Sequence, residues 1–259
     1  MLIGLVHKVF PAIADCELTF IEREPINYEL AAAQQRDYCR ALGECGAQVK
    51  MIEANAEFPD ACFVEDAAIV LDELAIIARP GAESRRGETA AVAAELSHYR
   101  ELVFLEHPAT LDGGDVLRIE RRLFVGRSSR TNLAAIAALS RLLSPIGYEI
   151  ISVPVMGSLH LKTACTAIDE QTLLVNPQWV SVEAFRDYRL IEVPPDEQWA
   201  ANVIRIGNTL IAQSGFPKTV ELIRPFCERV RQVDISEFRK AEAGLTCLSI
   251  LFEDSASAA

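Results

Sequence analysis

The feature of this sequence that most restricts its fold is a pattern that returns at a nearly constant interval. Four times, an apolar run of strand length is followed by a short polar turn, a second apolar run and a helical stretch. The paired runs lie at 63–71 and 74–78, at 115–119 and 123–126, at 160–168 and 172–176, and at 202–206 and 209–212. Each pair is typical of a β-hairpin. A repeat of this length predicts an array of equivalent supersecondary units.

A fifth unit is divided between the two ends of the chain. Residues 246–252 form its first apolar run and residues 2–8 its second, so the termini are expected to pair and close a ring. A WD40-like propeller has a similar period, about 40 to 45 residues, but its blades have four strands and leave no room for helices. Here helices are predicted at 25–42, 84–96, 129–143, 181–188, 218–224 and 235–240. The pattern indicates an α/β ring with helices outside and polar strand ends inside.

Length and charge exclude several classes of protein. The 259 residues contain no long linker, so we expect one domain over 1–252, followed by a flexible Ser- and Ala-rich tail at 253–259. The net charge of −12 argues against nucleic acid as a partner. The longest apolar stretch, Leu133 to Leu139, is far shorter than a membrane-spanning helix, and no signal peptide is evident. We expect a cytoplasmic protein.

The seven cysteines do not form a metal-binding pattern. They contain no CxxC pair and have no histidine at ligand spacing, which argues against structural zinc. For most of them the expected role is that of a small buried apolar residue in a reducing compartment.

Polar residues stand at equivalent places in the five units, where each hairpin begins. These residues are separated by 49, 45, 42 and 45 positions and are Asp66, Asp115, His160, Asn202 and Cys247. Polar residues at the start of otherwise apolar strands break the usual pattern, and such violations often mark a functional site. Glu65 adds a second carboxylate to the first unit, and Asp112 precedes a Gly-Gly turn that would let a ligand approach the backbone. We expect these side chains to converge and bind a cation.

One pair in this set can perform covalent chemistry. Taken alone, Cys247 would be a buried thiol and His160 a core histidine, but together they can act as nucleophile and base. Clustered carboxylates should raise the pKa of the thiol until a cation binds. A guanidinium fits this pocket because it is planar, charged and matched by carboxylates, and its central carbon accepts a thiolate. Arginines in the loops at 79–86 and 127–130 suit the carboxylate of an amino acid substrate.

Six motifs together resemble one known family, the dimethylargininases of the amidinotransferase and arginine deiminase superfamily. The motifs occupy 58–66, 79–88, 111–115, 130–132, 160–162 and 244–249. The resemblance covers nearly the whole chain. It implies the pentein fold, a five-bladed α/β propeller built from pseudo-fivefold ββαβ repeats.

The resemblance also implies a role for each candidate residue. Cys247 would attack the guanidinium carbon, His160 would protonate the leaving amine and then activate water, and Asp112 would orient His160 or a guanidinium nitrogen. The implied binding residues are Glu65 and Asp66 for the guanidinium, Arg85 and Arg130 for the carboxylate, and Asp60 with backbone near Leu18 for the α-amino group. Residues 15–27 would form a lid. Neither a metal nor an organic cofactor is implied.

The implied reaction is hydrolysis of NG-methylated arginines to citrulline and methylamines through a covalent thiouronium intermediate. The alternatives are an arginine deiminase, a hydrolase of another guanidino acid, and a non-enzymatic pentein-fold binding protein. Arginine deiminases carry an acidic residue two positions after the catalytic histidine, where this chain has Lys162. Agmatine is disfavoured because it has no carboxylate for the two arginines. The expected partner is a small methylated arginine; a homodimer is left open.

Overall fold

The computed structural model describes residues 1–254, and within them fifteen strands form five three-stranded sheets. The strands are β1 (Leu2–His7), β2 (Gln48–Ile52), β3 (Ala68–Val70), β4 (Leu74–Ile77), β5 (Glu101–Phe104), β6 (Val116–Ile119), β7 (Arg122–Arg127), β8 (Glu149–Pro154), β9 (Cys165–Ala167), β10 (Thr172–Val175), β11 (Arg189–Glu192), β12 (Ile204–Ile206), β13 (Thr209–Gln213), β14 (Arg229–Val233) and β15 (Ile250–Glu253). The α-helices are α1 (Tyr28–Glu44), α2 (Thr89–Leu96), α3 (Leu133–Leu143), α4 (Leu161–Ala164), α5 (Pro217–Ile223) and α6 (Ser236–Arg239).

All five sheets share one topology. The first two strands are antiparallel, and the third is parallel to the second, as in β3-β4-β5 and β6-β7-β8. A parallel pair needs a crossover. In four sheets an α-helix supplies it, and between β10 and β11 a single 3-10 turn at Val182–Phe185 does so. The predicted ββαβ repeat and five-bladed α/β fold are confirmed, although the helix expected at 181–188 is only this one turn.

The fifth sheet joins the two ends of the chain, as the split repeat predicted. β15 pairs antiparallel with β1, with Leu2 opposite Glu253, and β1 pairs parallel with β2. The sheet therefore extends one residue past the predicted domain end at 252. Of the expected tail, only Glu253 and Asp254 lie within the described residues.

The hydrophobic core is divided into five clusters, each between neighbouring sheets. In β4, Ala75 and Ile77 pack with β1 and β15 residues such as Ile3 and Phe252, whereas Ile76 packs with Val125 of the next sheet. Successive side chains of a strand point to opposite faces. Because both faces of a central strand such as β4 are covered, its residues are apolar, which is why such strands formed continuous apolar runs in the sequence.

A single helical turn precedes the first strand of every sheet. These five pre-strand turns span Val64–Ala67, Gly113–Asp115, Leu161–Ala164, Gln198–Ala201 and Thr246–Leu248. The repeated polar residues lie on or beside these turns, so the expectation that they open the strands themselves is wrong. A lone turn leaves backbone N–H groups without helical partners, and the polar side chains accept from them, as Asp66 does from Gly114 N–H at 2.9 Å.

Two predicted helices begin later than expected because an asparagine caps each of them. Asn27 accepts a hydrogen bond from Leu30 N–H, so α1 begins at Tyr28 rather than residue 25. Asn132 accepts from Ala135 N–H, so α3 begins at Leu133 rather than residue 129. Within residues 1–254, no helix is long and apolar enough to cross a bilayer.

Candidate active site

The two ends of the ring differ in chemistry. A cavity of about 1110 Å³ is lined by hairpin-turn residues such as Asp72, Glu120 and Asp169. The pre-strand turns gather at the other end, where Asp66, Asp112 and His160 bring ligand atoms within 4.8 Å of one another. The convergent titratable groups, which are the better indicator of a site, do not line this cavity.

His160 lies at the start of α4 and is held between two carboxylates. Its Nε2 is 3.0 Å from Asp112 Oδ2, and its Nδ1 is 3.8 Å from Asp66 Oδ1. Burial alone would lower the pKa of His160, but Asp66, Asp112 and Asp115 raise it to about 9. The imidazole is therefore protonated at neutral pH and can act as a general acid.

The Gly113-Gly114 turn makes this arrangement possible. A Cβ on Gly113 would lie 2.0 Å from the Glu65 carbonyl oxygen, and one on Gly114 would lie 2.7 Å from both Asp66 Oδ1 and His160 Nδ1. The sequence analysis expected the glycines to admit a ligand. In the structure they admit the protein's own backbone and imidazole.

Cys247 lies on the last pre-strand turn and is 6% exposed. Its Sγ accepts a hydrogen bond from Gly244 N–H at 3.4 Å. Burial, together with Glu65 and Asp66, raises the pKa of the thiol well above its ordinary value, so the unliganded site holds a protonated thiol. Across residues 1–254, no hydrogen bond joins Cys247 to His160.

Glu65 makes contacts other than those expected of it. Its carboxylate forms an ion pair with Lys162 and accepts from Thr246 Oγ1 at 2.8 Å. Burial raises the pKa of Glu65, and Lys162 opposes this. Lys162 is the cation paired with Glu65, as Arg85 is for Asp66, so both carboxylates expected to hold the guanidinium already have protein partners. Burial acts to raise the pKa of Asp66, yet His160 and Arg85 lower it to about 2.

The two arginines expected to bind a carboxylate differ in how many of their guanidinium nitrogens already have hydrogen-bond partners. Each nitrogen of Arg85 has a protein partner, with Nη1 donating to Asp66 at 2.6 Å and Nε and Nη2 donating to Glu88. Arg130 is 8% exposed, and its Nη1 has no hydrogen-bond partner among the described residues. A buried donor without a partner is costly. The contacts therefore favour Arg130 as the carboxylate-binding residue, rather than Arg85 and Arg130 equally.

The remaining expected binding residues lie beside Arg130. Asp60 is buried and accepts from Glu17 N–H, at 3.1 Å to its nearer oxygen. Leu18 follows Glu17 in the predicted lid and is half-buried. Thr19, the next residue, accepts from Arg130 Nη2 at 3.5 Å. The structure thus brings Asp60, Arg130 and the lid together, while Arg85 connects Asp60 to Asp66.

The carboxylate and imidazole cluster also has the composition of a metal site, but its atoms are already engaged. Asp112 binds His160 Nε2 and Gly81 N–H, and Asp66 binds Arg85 and Gly114 N–H. A protonated imidazole cannot ligate a metal. The hydrogen bonds therefore suit an imidazolium better than a metal ion.

Asn202 was expected to converge with the other repeated polar residues, but sequence reasoning assigned it no role in the site. Its amide donates to the Lys162 carbonyl at 2.7 Å and to Thr246 Oγ1 at 3.1 Å, and it accepts from Thr246 N–H at 3.0 Å. It joins the histidine turn to the cysteine turn. Its place in the repeat was the only signal that could have identified it.

Comparison with known proteins assigns the family. The family model described as "N,N dimethylarginine dimethylhydrolase, eukaryotic" matches residues 17–244. The N(G),N(G)-dimethylarginine dimethylaminohydrolase of Streptomyces coelicolor is 38% identical over 249 residues, which are 95% of each protein. The chain belongs to the dimethylarginine dimethylaminohydrolase family. The predicted family is confirmed, and with it the expectation of a hydrolase.

Two solved structures have the same fold. The enzyme from Pseudomonas aeruginosa, solved as a cysteine-to-serine mutant complexed with citrulline, matches with a TM-score of 0.91 and 33% identity over 96% of this chain and 98% of that one. A histidine-to-glycine dimethylarginine dimethylaminohydrolase, solved as an adduct with S-methyl-L-thiocitrulline, has the same TM-score and identity over 97% and 100%. Citrulline and the thiocitrulline adduct are present in those two structures.

Proposed function

We propose that this chain hydrolyses asymmetric dimethylarginine and monomethylarginine to citrulline and a methylamine. The observation that carries the proposal is a buried thiol, a protonated imidazole and an ionised carboxylate at one end of the ring, in Cys247, His160 and Asp66. Citrulline and a thiocitrulline adduct in solved relatives support it.

In the first half of the reaction, the substrate guanidinium lies against Asp66, and its positive charge lets the Cys247 thiol release a proton to solvent. The thiolate adds to the central carbon. His160, protonated and held by Asp112 at 3.0 Å, gives its proton to the methylated nitrogen. The C–N bond breaks, the amine leaves, and a thiouronium cation joins the substrate to Cys247.

In the second half, the now neutral His160 takes a proton from water, and the hydroxide adds to the same carbon. The C–S bond breaks, Cys247 leaves as a thiolate, and the oxygen proton passes to the free amine, so citrulline and a methylammonium ion are the products. Asp112 holds the imidazole in one orientation through both proton transfers.

At the other end of the substrate, Arg130 binds the α-carboxylate, because its buried Nη1 has no hydrogen-bond partner among the described residues and lies 3.8 Å from the Asp112 carboxylate. Asp60 and the backbone at Leu18 receive the α-amino group. Arg85 fixes Asp66 and Asp60 in place, through Nη1 to the Asp66 carboxylate and Nη2 to the Asp60 carbonyl. Lys162 holds Glu65, which leaves the second terminal nitrogen without a carboxylate and accommodates methyl groups.

The test is to incubate the purified chain separately with asymmetric dimethylarginine, monomethylarginine, arginine and agmatine, and to measure citrulline or its decarboxylated analogue together with the released amine. We expect the methylated arginines to give equal amounts of both products, with kcat/KM for arginine lower by about tenfold or more. Faster turnover of arginine would overturn the substrate assignment. Cys247→Ser should lower kcat by at least about 1000-fold while ligand binding by calorimetry persists.

A further inference from the structure

A carboxylate outside the reacting centre holds the predicted lid. Residues 16–27 have no regular secondary structure and connect the 3-10 turn at Pro11–Asp15 to α1. Glu17 N–H binds Asp60, and Thr19 accepts from Arg130. Because both partners belong to the substrate pocket, this segment lies over its mouth.

Three consecutive backbone N–H groups of the lid donate to one side chain. Thr19, Phe20 and Ile21 donate to the Glu242 carboxylate at 2.8, 2.5 and 3.0 Å. Glu242 is 2% exposed. Successive N–H groups aimed at one anion form a strong binding arrangement, and here the anion belongs to the protein itself.

The backbone conformation at position 242 indicates that glutamate is present there because of its side chain. Its φ is +60°, a conformation that glycine adopts without steric cost and that is unfavourable for glutamate. The three charged hydrogen bonds to the lid offset that cost.

The same short segment holds the lid at a second place and continues into the nucleophile. Glu237 on α6 accepts from Asn27 N–H at 2.8 Å, and Lys240 donates to the Pro25 carbonyl at 3.0 Å. Gly244, two residues beyond Glu242, donates to Cys247 Sγ. The lid and the cysteine turn are therefore anchored on one stretch of chain, 237–247.

We propose that Glu242 is a positioning residue that holds the lid shut over the amino acid end of the substrate. The inference rests on the proposed function for its effect on turnover, but the hydrogen bonds that it assigns exist without substrate. Loss of the carboxylate frees Thr19 and the backbone at Leu18 from their places beside Arg130 and Asp60. Binding of the α-amino and α-carboxylate groups then weakens, while the groups around the guanidinium carbon stay in place.

The experiment compares Glu242→Gln with the wild-type chain. Glutamine has nearly the same size, but its amide nitrogen cannot accept from the lid N–H groups. Without any substrate, hydrogen–deuterium exchange of the amides at 19–21 should be at least about tenfold faster in the variant, while exchange in β4 and β10 stays unchanged. With asymmetric dimethylarginine, KM should rise by about tenfold and kcat should change by less than about threefold.

The matched control is Glu24→Gln, which removes an exposed lid charge that makes no hydrogen bond among the described residues. It should leave both measurements at wild-type values. If Glu242→Gln does not fold, Glu242→Asp keeps the charge but shortens its reach and should give an intermediate exchange rate. Wild-type exchange at 19–21 in a folded variant would overturn the proposal. Inactivity of the wild-type chain on all guanidino substrates would instead overturn the proposed function.

Discussion

Cys247 and His160 share acidic surroundings that act on both groups in the same direction. Burial together with nearby carboxylates raises the pKa of Cys247 above its ordinary value, and carboxylates raise the pKa of His160 to about 9 against the effect of burial. For the histidine this prepares the acid that the leaving amine needs. For the thiol it suppresses the nucleophile until a positive charge arrives. The substrate therefore completes the site that reacts with it.

This linkage can be measured as a thiol titration. A guanidinium placed about 4 Å from the sulfur should lower the pKa of Cys247 by about 2 to 3, since a charge pair at that distance is worth about 4 kcal/mol near a protein surface. The ultraviolet absorbance of the thiolate would be followed against pH in the His160→Gly variant, with and without a slowly reacting guanidino amino acid. Subtracting the same titration of a variant that also carries Cys247→Ser removes the other six thiols. An unchanged pKa with bound ligand would contradict substrate-assisted ionisation.

At the same scale, the sequence predicted Cys247 and His160 as site residues because their residue types allow few other roles at repeated positions. It could not distinguish Arg85 from Arg130, or Glu65 from Asp66. Those differences depend on Glu88 and Lys162 as ion-pair partners. Such partners are adjacent in space, and single-sequence reasoning does not show which of several nearby charges pair.

At the scale of elements, the repeated polar residues join neighbouring sheets as well as serving the site. Asp66 on the first pre-strand turn accepts from Gly114 N–H on the second, and Asp115 on the second accepts from Leu161 N–H on the third. Asn202, after the fourth, accepts from Thr246 N–H on the fifth. The periodicity was expected to reflect function alone. At these three sheet junctions, turns with N–H groups that lack helical partners also favour it on structural grounds.

Asn202 can test whether these junction contacts are structural, because its hydrogen bonds reach both the turn that follows His160 and the turn that carries Cys247. Asn202→Ala should leave the Lys162 carbonyl and Thr246 N–H buried without partners, lowering the free energy of unfolding by about 1 to 3 kcal/mol. Since the cysteine turn loses an anchor, kcat should fall by about tenfold or more with a smaller change in KM. Denaturant unfolding and steady-state kinetics measure the two effects. Asn202→Asp, which keeps the shape but cannot donate to Lys162, should lie between wild type and alanine; an unaffected alanine variant would contradict the role.

On the scale of the whole molecule, the ring has no sequence-defined beginning. Each pair of neighbouring sheets encloses its own apolar cluster, and the fifth sheet is made equivalent to the others by pairing β15 with β1. The period and the apolar runs were sufficient to predict this closure. The third strands were implied only by the family resemblance, because β5, β8 and β14 carry charged residues and have exposed positions.

The equivalence of the sheets predicts that the break in the chain can be moved. Met1 and Asp254 are adjacent, with Asp254 N–H donating to the Met1 carbonyl at 2.8 Å. Joining the ends through residues 255–259 and a few added glycines, and opening the chain between Gly207 and Asn208, transfers the split from the fifth sheet to the fourth. The new ends fall in an exposed hairpin turn far from Cys247, where chain breaks are tolerated best.

We expect this permutant to fold with the wild-type circular dichroism spectrum and to keep kcat/KM for asymmetric dimethylarginine within about threefold, because every strand pairing and every pre-strand turn is retained. Its stability should fall modestly, since the β12–β13 hairpin becomes a contact between chain ends rather than a local one. A matched permutant opened inside β13, between Leu210 and Ile211, removes a paired and fully buried strand and should not fold. If neither permutant folded, the position of the natural chain ends would itself be required for folding, even though the five sheets are equivalent. The fifth sheet would then have to form in its native order before the others can close around it.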